Sequence, residues 1–116
     1  IQQDIRERLI APSMRAPDED TKVALRKELH ETKLPEKFAM LDAMLAETGY
    51  LVGGELSIAD IHLYVLCNWI GMGTLDGIGK EVITQFAHVA ALVKKLNEHE
   101  KIKAWNAKNN PKLPWL

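Results

Sequence analysis

The sequence predicts an all-α domain, a bundle of five to six helices. Two observations carry that expectation. No segment alternates apolar and polar residues for long enough to be a strand, and apolar residues instead recur three and four apart along most of the chain. Prolines and glycines punctuate these runs where helices would start and stop. At 116 residues and 13.1 kDa the chain makes one domain with a single modest core.

The first helix is expected over residues 1–10, "IQQDIRERLI", where Ile1, Ile5 and Leu9 stand four apart on one stripe. Pro12 and Pro17 bracket a predicted break. "PDEDTK" then reads as an acidic helix start, with Asp18 or Asp20 as the cap and carboxylates at the positive end of the dipole. A long helical pattern continues to about Glu47. Leu34, Phe38, Leu41 and Leu45 step by four, three and four, while Val23, Leu25 and Leu29 supply earlier apolar contacts. Pro35 removes one backbone donor and predicts a kink or a break between two helices. Gly49 ends the unit.

The stretch "LVGGELSIADIHLY", residues 51–64, holds the most specific local signal. Ser57 is placed to cap a helix, its hydroxyl accepting from the N–H of Asp60 while the Asp60 carboxylate reaches back to the N–H of Ser57. Leu56 and Ile61 take the staple positions around that cap. A catalytic Ser–Asp pair is the alternative, but no base stands between the two. The helix so begun continues as "ADIHLYVLCNWIGM" to about Met72 and, apolar on nearly every face, is expected to be central. "GTLDGIG" reads as a loop and "KEVITQF" as a short turn of helix. In the next segment Val89, Leu92, Val93 and Leu96 recur at helical spacing, with Ile102 and Trp105 continuing the apolar contacts, before a non-helical tail "NNPKLPWL".

Composition narrows the function classes. The net charge is −1 with 27% charged residues, so neither nucleic acid nor an anionic membrane surface is an expected partner. The lysines near the end, among them Lys94, Lys101 and Lys108, are interrupted by Glu98 and Glu100, which suits a solvated face. No apolar run approaches the roughly 20 residues that cross a bilayer. Cys67 is the one cysteine, so no internal disulfide and no cysteine-based metal site is expected, and a reducing compartment is favoured. It reads as an apolar filler, with a reactive thiol as the alternative. Because the chain starts at Ile1, it reads as a piece of something longer.

"YLVGGELSIADIHLY" resembles the segment entering the sixth helix of the cytosolic glutathione transferases, where a hydrophobic–hydrophobic–Gly–x–x–hydrophobic–Ser/Thr–x–Ala–Asp run carries the same capping box and staple. "LPEKFAMLDAMLAETG" resembles the end of their fifth helix. "GTLDGI" and "HVAALVKKLNEHEKIKAWNAK" are similar to the stretch after the sixth helix in sigma-like members. The resemblance spans residues 1–116 and implies the C-terminal all-helical domain of that family. It further implies a cytoplasmic, homodimeric detoxification enzyme that takes glutathione as co-substrate and a hydrophobic electrophilic small molecule. In such proteins a thioredoxin-like domain, outside these residues, holds glutathione and activates its thiol. No catalytic residue and no metal is therefore expected here, and the chain alone is expected to be inactive.

The same resemblance nominates site residues. Leu9 and Met14 match the fourth-helix wall of the electrophile pocket, and His62, Val65 and Leu66 match the wall beyond the capping aspartate, with Trp69 one turn further on. Each has a plain alternative as a core residue, and His62 stands where an aromatic residue is usual. Glu7 falls where some relatives place an acid that reaches the amino group of glutathione across the dimer; a solvated charge is the alternative. Non-catalytic relatives share the fold, so a scaffold or assembly domain is the rival function.

Overall fold

The computed structural model of the chain describes residues 4–110 and 113–116, and among these it is helical without strands. Ile1 lies outside the described residues. Helix α1 is a π-type segment, Ile5–Ile10, running directly into an α-helical turn, Ala11–Met14. Helix α2 is Glu19–Glu28, and a second π-type segment, Leu29–Lys33, joins it without a break to α3, Leu34–Thr48. Then come α4 (Ile58–Gly71), the short α5 (Glu81–Thr84), α6 (Ala87–Glu98) and α7 (Glu100–Asn109). The molecule measures 42 × 32 × 21 Å. Its thin dimension is about two helix diameters, so most helices bury one side and leave the other open.

The break expected between Pro12 and Pro17 is present, at Arg15–Pro17, whereas no break between helices occurs at Pro35. The chain stays helical through Pro12 and Pro35, and each proline lies two residues beyond a π-type segment. In these segments the ladder widens to five-residue steps: the Ala11 N–H donates to the Arg6 carbonyl and the Leu34 N–H to the Leu29 carbonyl. A wider turn moves the preceding carbonyl away from the pyrrolidine ring and leaves slack in the ladder where the proline N–H is missing. The break comes at Arg15–Pro17, after which Asp18 caps α2 by accepting from the Thr21 N–H at 2.7 Å.

Leu34, Phe38, Leu41 and Leu45 are buried as the spacing predicts, and they face Val89, Leu92, Val93 and Leu96 of α6 in the core. Phe38 stacks on Phe86 at 6.5 Å. Gly49 ends α3 in the left-handed region (φ 83°), its N–H donating to the Leu45 carbonyl at 2.7 Å. On α2 the spacing misleads: Val23 is exposed and Arg26 is buried. The guanidinium is satisfied there, because Nε donates to Ser13 Oγ (3.1 Å) and Nη1 to the Asp76 carbonyl (3.1 Å), tying α1, α2 and the loop before α5 together.

Helix α4 is not buried all round. Leu63, Tyr64, Leu66, Cys67 and Ile70 enter the core, but Ile58, Ile61 and Val65 stand on an open face. An apolar sequence alone cannot say which apolar face is covered, and with two layers only one is. Helix α6 carries a cap that no local pattern announces. Asp42, on α3, accepts from the N–H groups of His88 (2.8 Å) and Val89 (3.0 Å), satisfying donors that a helix start otherwise leaves unpaired.

Candidate functional site

The start of α4 is built around Asp60, which is fully buried. Its Oδ2 accepts from the Ser57 N–H at 2.9 Å and from Ser57 Oγ at 3.3 Å. Its Oδ1 accepts from the Leu51 N–H at 2.8 Å, pinning the loop that leads into the helix. The capping box is present. The Asp60 N–H donates to the Ser57 carbonyl (3.1 Å), so the aspartate leg of the box carries more hydrogen bonds than the serine leg. Leu56 and Ile61 are 37% and 41% exposed, so a staple between them shields little. With both carboxylate oxygens occupied by amides and a hydroxyl, Asp60 is a structural anchor rather than a base.

That anchor aims α4 along a cavity of about 630 Å³. The volume suits a small organic ligand. From α4 come Ile61, His62, Val65, Leu66, Asn68 and Trp69, with Met72 just past its end. The rest of the lining is Trp105 and Asn106 of α7, Asn110 and Leu113 beyond it, and Arg6 of α1. The lining is aliphatic and aromatic with a few amides. It contains no thiol, hydroxyl or carboxylate, so His62 has no partner there with which to form a nucleophile–base relay.

The amides are held rather than free. Tyr64, buried behind the cavity, donates to Asn97 Oδ1 and accepts from Asn106 Nδ2 at 2.9 Å. Asn110 Nδ2 donates to Asn106 Oδ1 at 3.2 Å. Trp115 Nε1 donates to Asn68 Oδ1 at 2.7 Å. Cys67, on the far side of α4, is fully buried, and loss of hydration pushes its thiol pKa up. It is packing, not a nucleophile.

Four nominated residues, His62, Val65, Leu66 and Trp69, therefore line one cavity. His62 is exposed and Leu66 buried, so the plain core reading fits Leu66 but not His62. Leu9 and Met14 do not line it. Leu9 packs half-buried against the core, and Met14 is 56% exposed. Arg6 takes the α1 position instead, because in a π-type turn residues three apart no longer share a face as they do at 3.6 residues per turn. Glu7 is also outside the cavity, exposed, its Oε1 3.6 Å from Arg6 Nε. Such an exposed pair contributes little.

No sequence pattern pointed to Arg6, Asn106, Asn110 and Leu113. Trp105, expected to continue the apolar contacts of its segment, is instead 64% exposed and lines the cavity; a large aromatic residue on a mostly polar helix was the available signal. Among the described residues no cluster of His, Cys, Asp and Glu could hold a metal, and no helix is long and apolar enough to cross a membrane.

No curated protein and no solved structure matches the chain. A family model does: "Glutathione S-transferase, C-terminal domain" matches residues 3–109. With nearly the whole chain covered by that family and the helical fold it describes, this protein belongs to the glutathione S-transferase C-terminal domain family.

Proposed function

We propose that this chain forms the hydrophobic-electrophile pocket of a glutathione transferase, for conjugation or isomerisation of an apolar co-substrate. The observation that carries the reading is the cavity of about 630 Å³ walled by His62, Val65, Leu66 and Trp69. An apolar wall with a few fixed amides desolvates and orients a hydrophobic ligand, and it lacks a group to activate a thiol. That activation belongs to a thioredoxin-like domain, which would hold most of glutathione. Leu9 and Met14 belong in this reading to the part of the pocket that such a domain completes along α1. Glu7 reaches the amino group of glutathione across a homodimer. A cytoplasmic setting and a sigma-like subclass accompany the proposal.

The test uses the 116-residue chain. An unreactive aromatic analogue of the electrophile, dinitrobenzene, is titrated while tryptophan emission is followed, since Trp69 and Trp105 line the cavity. Saturable quenching is expected, weakened about tenfold by Leu66→Ala, the scale of trimming one apolar wall residue. Conjugation of chlorodinitrobenzene to glutathione should stay at the uncatalysed rate. Unchanged quenching in Leu66→Ala, or conjugation well above background, would overturn the assignment.

A further inference from the structure

We propose that residues 113–116 form a size-setting wall of the cavity, held in place by a latch in which Trp115 seats on Gly71. This rests on the reading of the cavity as a ligand pocket. Gly71 is the last residue of α4, and its backbone is not in the left-handed region, so conformation alone does not require glycine there. Space does. A Cβ built on Gly71 would stand 2.6 Å from Trp115 Cζ2 and closer still to Cδ2 and Cε2. The indole therefore lies flat against bare backbone, in a seat that any side chain would fill.

The seat is locked by a hydrogen bond. Trp115 Nε1 donates to Asn68 Oδ1 at 2.7 Å, and Asn68 lies one turn before Gly71 on the same helix. Asn68 is itself part of the cavity wall, as is Leu113, two residues before the latched tryptophan. The Leu113 N–H donates to the Asn110 carbonyl at 3.0 Å, and Trp115 and Leu116 pack partly buried on the core. Residues 113–116 have no helical ladder of their own. Such a segment holds its place only through the contacts it makes, and the indole on Gly71 is one of them. Trp115 is thus a positioning residue: it does not line the cavity, but it fixes Leu113 in the wall. With the latch seated the cavity is closed on that side and favours compact apolar ligands. With it released, larger ones gain entry and compact ones lose a contact.

Gly71→Ala isolates this effect, because it changes no residue of the cavity lining and places a good helix former at a helical position. Trp115→Ala removes the latch from the other side, and Trp115→Phe keeps a ring while losing the donor. The probes are anilinonaphthalene sulfonate and its covalent dimer, bis-anilinonaphthalene sulfonate, titrated into each chain, with hydrogen exchange at the Leu113 amide reporting the latch directly. In Gly71→Ala and Trp115→Ala, Leu113 exchange should accelerate, and the affinity ratio of dimer to monomer should rise about tenfold. Trp115→Phe should fall between. Unchanged exchange at Leu113 in Gly71→Ala would overturn the latch. Accelerated exchange with an unchanged affinity ratio would overturn its role in setting size. A wild-type chain that binds neither probe would instead refute the cavity as a ligand site, and this proposal with it.

Discussion

Replacing Asp60 by alanine should destabilise the domain far more than replacing Ser57, although the two residues form one capping box. The asymmetry comes from the bonds. Asp60→Ala removes the acceptors of two backbone N–H groups, Ser57 at 2.9 Å and Leu51 at 2.8 Å, together with the hydroxyl contact at 3.3 Å. A donor left unpaired costs about 1–3 kcal/mol. Both amides belong to half-buried residues, which water partly reaches, so the lower end applies to each. The sum is about 2–4 kcal/mol, a large share of the roughly 5–15 kcal/mol that holds a domain together. Ser57→Ala loses the long hydroxyl contact and leaves both backbone bonds to the carboxylate in place, because those donors are main-chain groups; it should cost about 0.5–1 kcal/mol. Urea melts of the two single variants and the double would measure this. The double variant should lose less than the sum of the singles, since either change alone already removes the contact between the Ser57 hydroxyl and the carboxylate. Hydrogen exchange at Leu51 should accelerate in Asp60→Ala and stay near wild type in Ser57→Ala. Equal losses in the two single variants, or an Asp60→Ala loss under about 0.5 kcal/mol, would refute the assignment of the anchor to the aspartate.

Gly49→Ala should cost about 1–2 kcal/mol, because φ is 83° there and an added Cβ would also meet Lys95 Nζ at 3.2 Å; a neutral result in a thermal melt would be inconsistent with the left-handed C-cap. Asp42→Ala should cost about 1–2 kcal/mol and speed exchange at the His88 and Val89 amides while leaving α3 intact; unchanged exchange at both would remove the cross-helix cap. Asp18 contributes a pH dependence to the start of α2, because its carboxyl is held below its ordinary 3.8 chiefly by the Thr21 backbone N–H. A depressed folded pKa stabilises fully above 3.8 and loses that contribution as pH falls below 3.8 through the folded value. The Thr21 amide should therefore keep its bonded chemical shift at pH 5 and lose it on further acidification; loss already at pH 5 would contradict the sign.

The features that the sequence determined by itself were those set by neighbours along the chain. The stripe Leu34, Phe38, Leu41, Leu45 fixes a buried helix face, Gly49 ends that helix, and Ser57 with Asp60 starts the next, because each depends on residues within about one helical turn. The residues that the resemblance nominated on α4, His62, Val65, Leu66 and Trp69, line one cavity together because they share one side of one helix. The tertiary structure decided everything that joins distant segments. It brought Arg6 rather than Leu9 to the cavity through a π-type turn that no residue spacing announces, and it set Trp105 and Leu113 in the wall of the same cavity. It buried Arg26 where the pattern favoured Val23, since a guanidinium is tolerated inside once Ser13 and the Asp76 carbonyl, both far along the chain from at least one partner, accept its protons. It also gave Gly71 a purpose. In the sequence that glycine is an ordinary position near the end of a helix; in the fold its missing side chain is the space that Trp115 occupies.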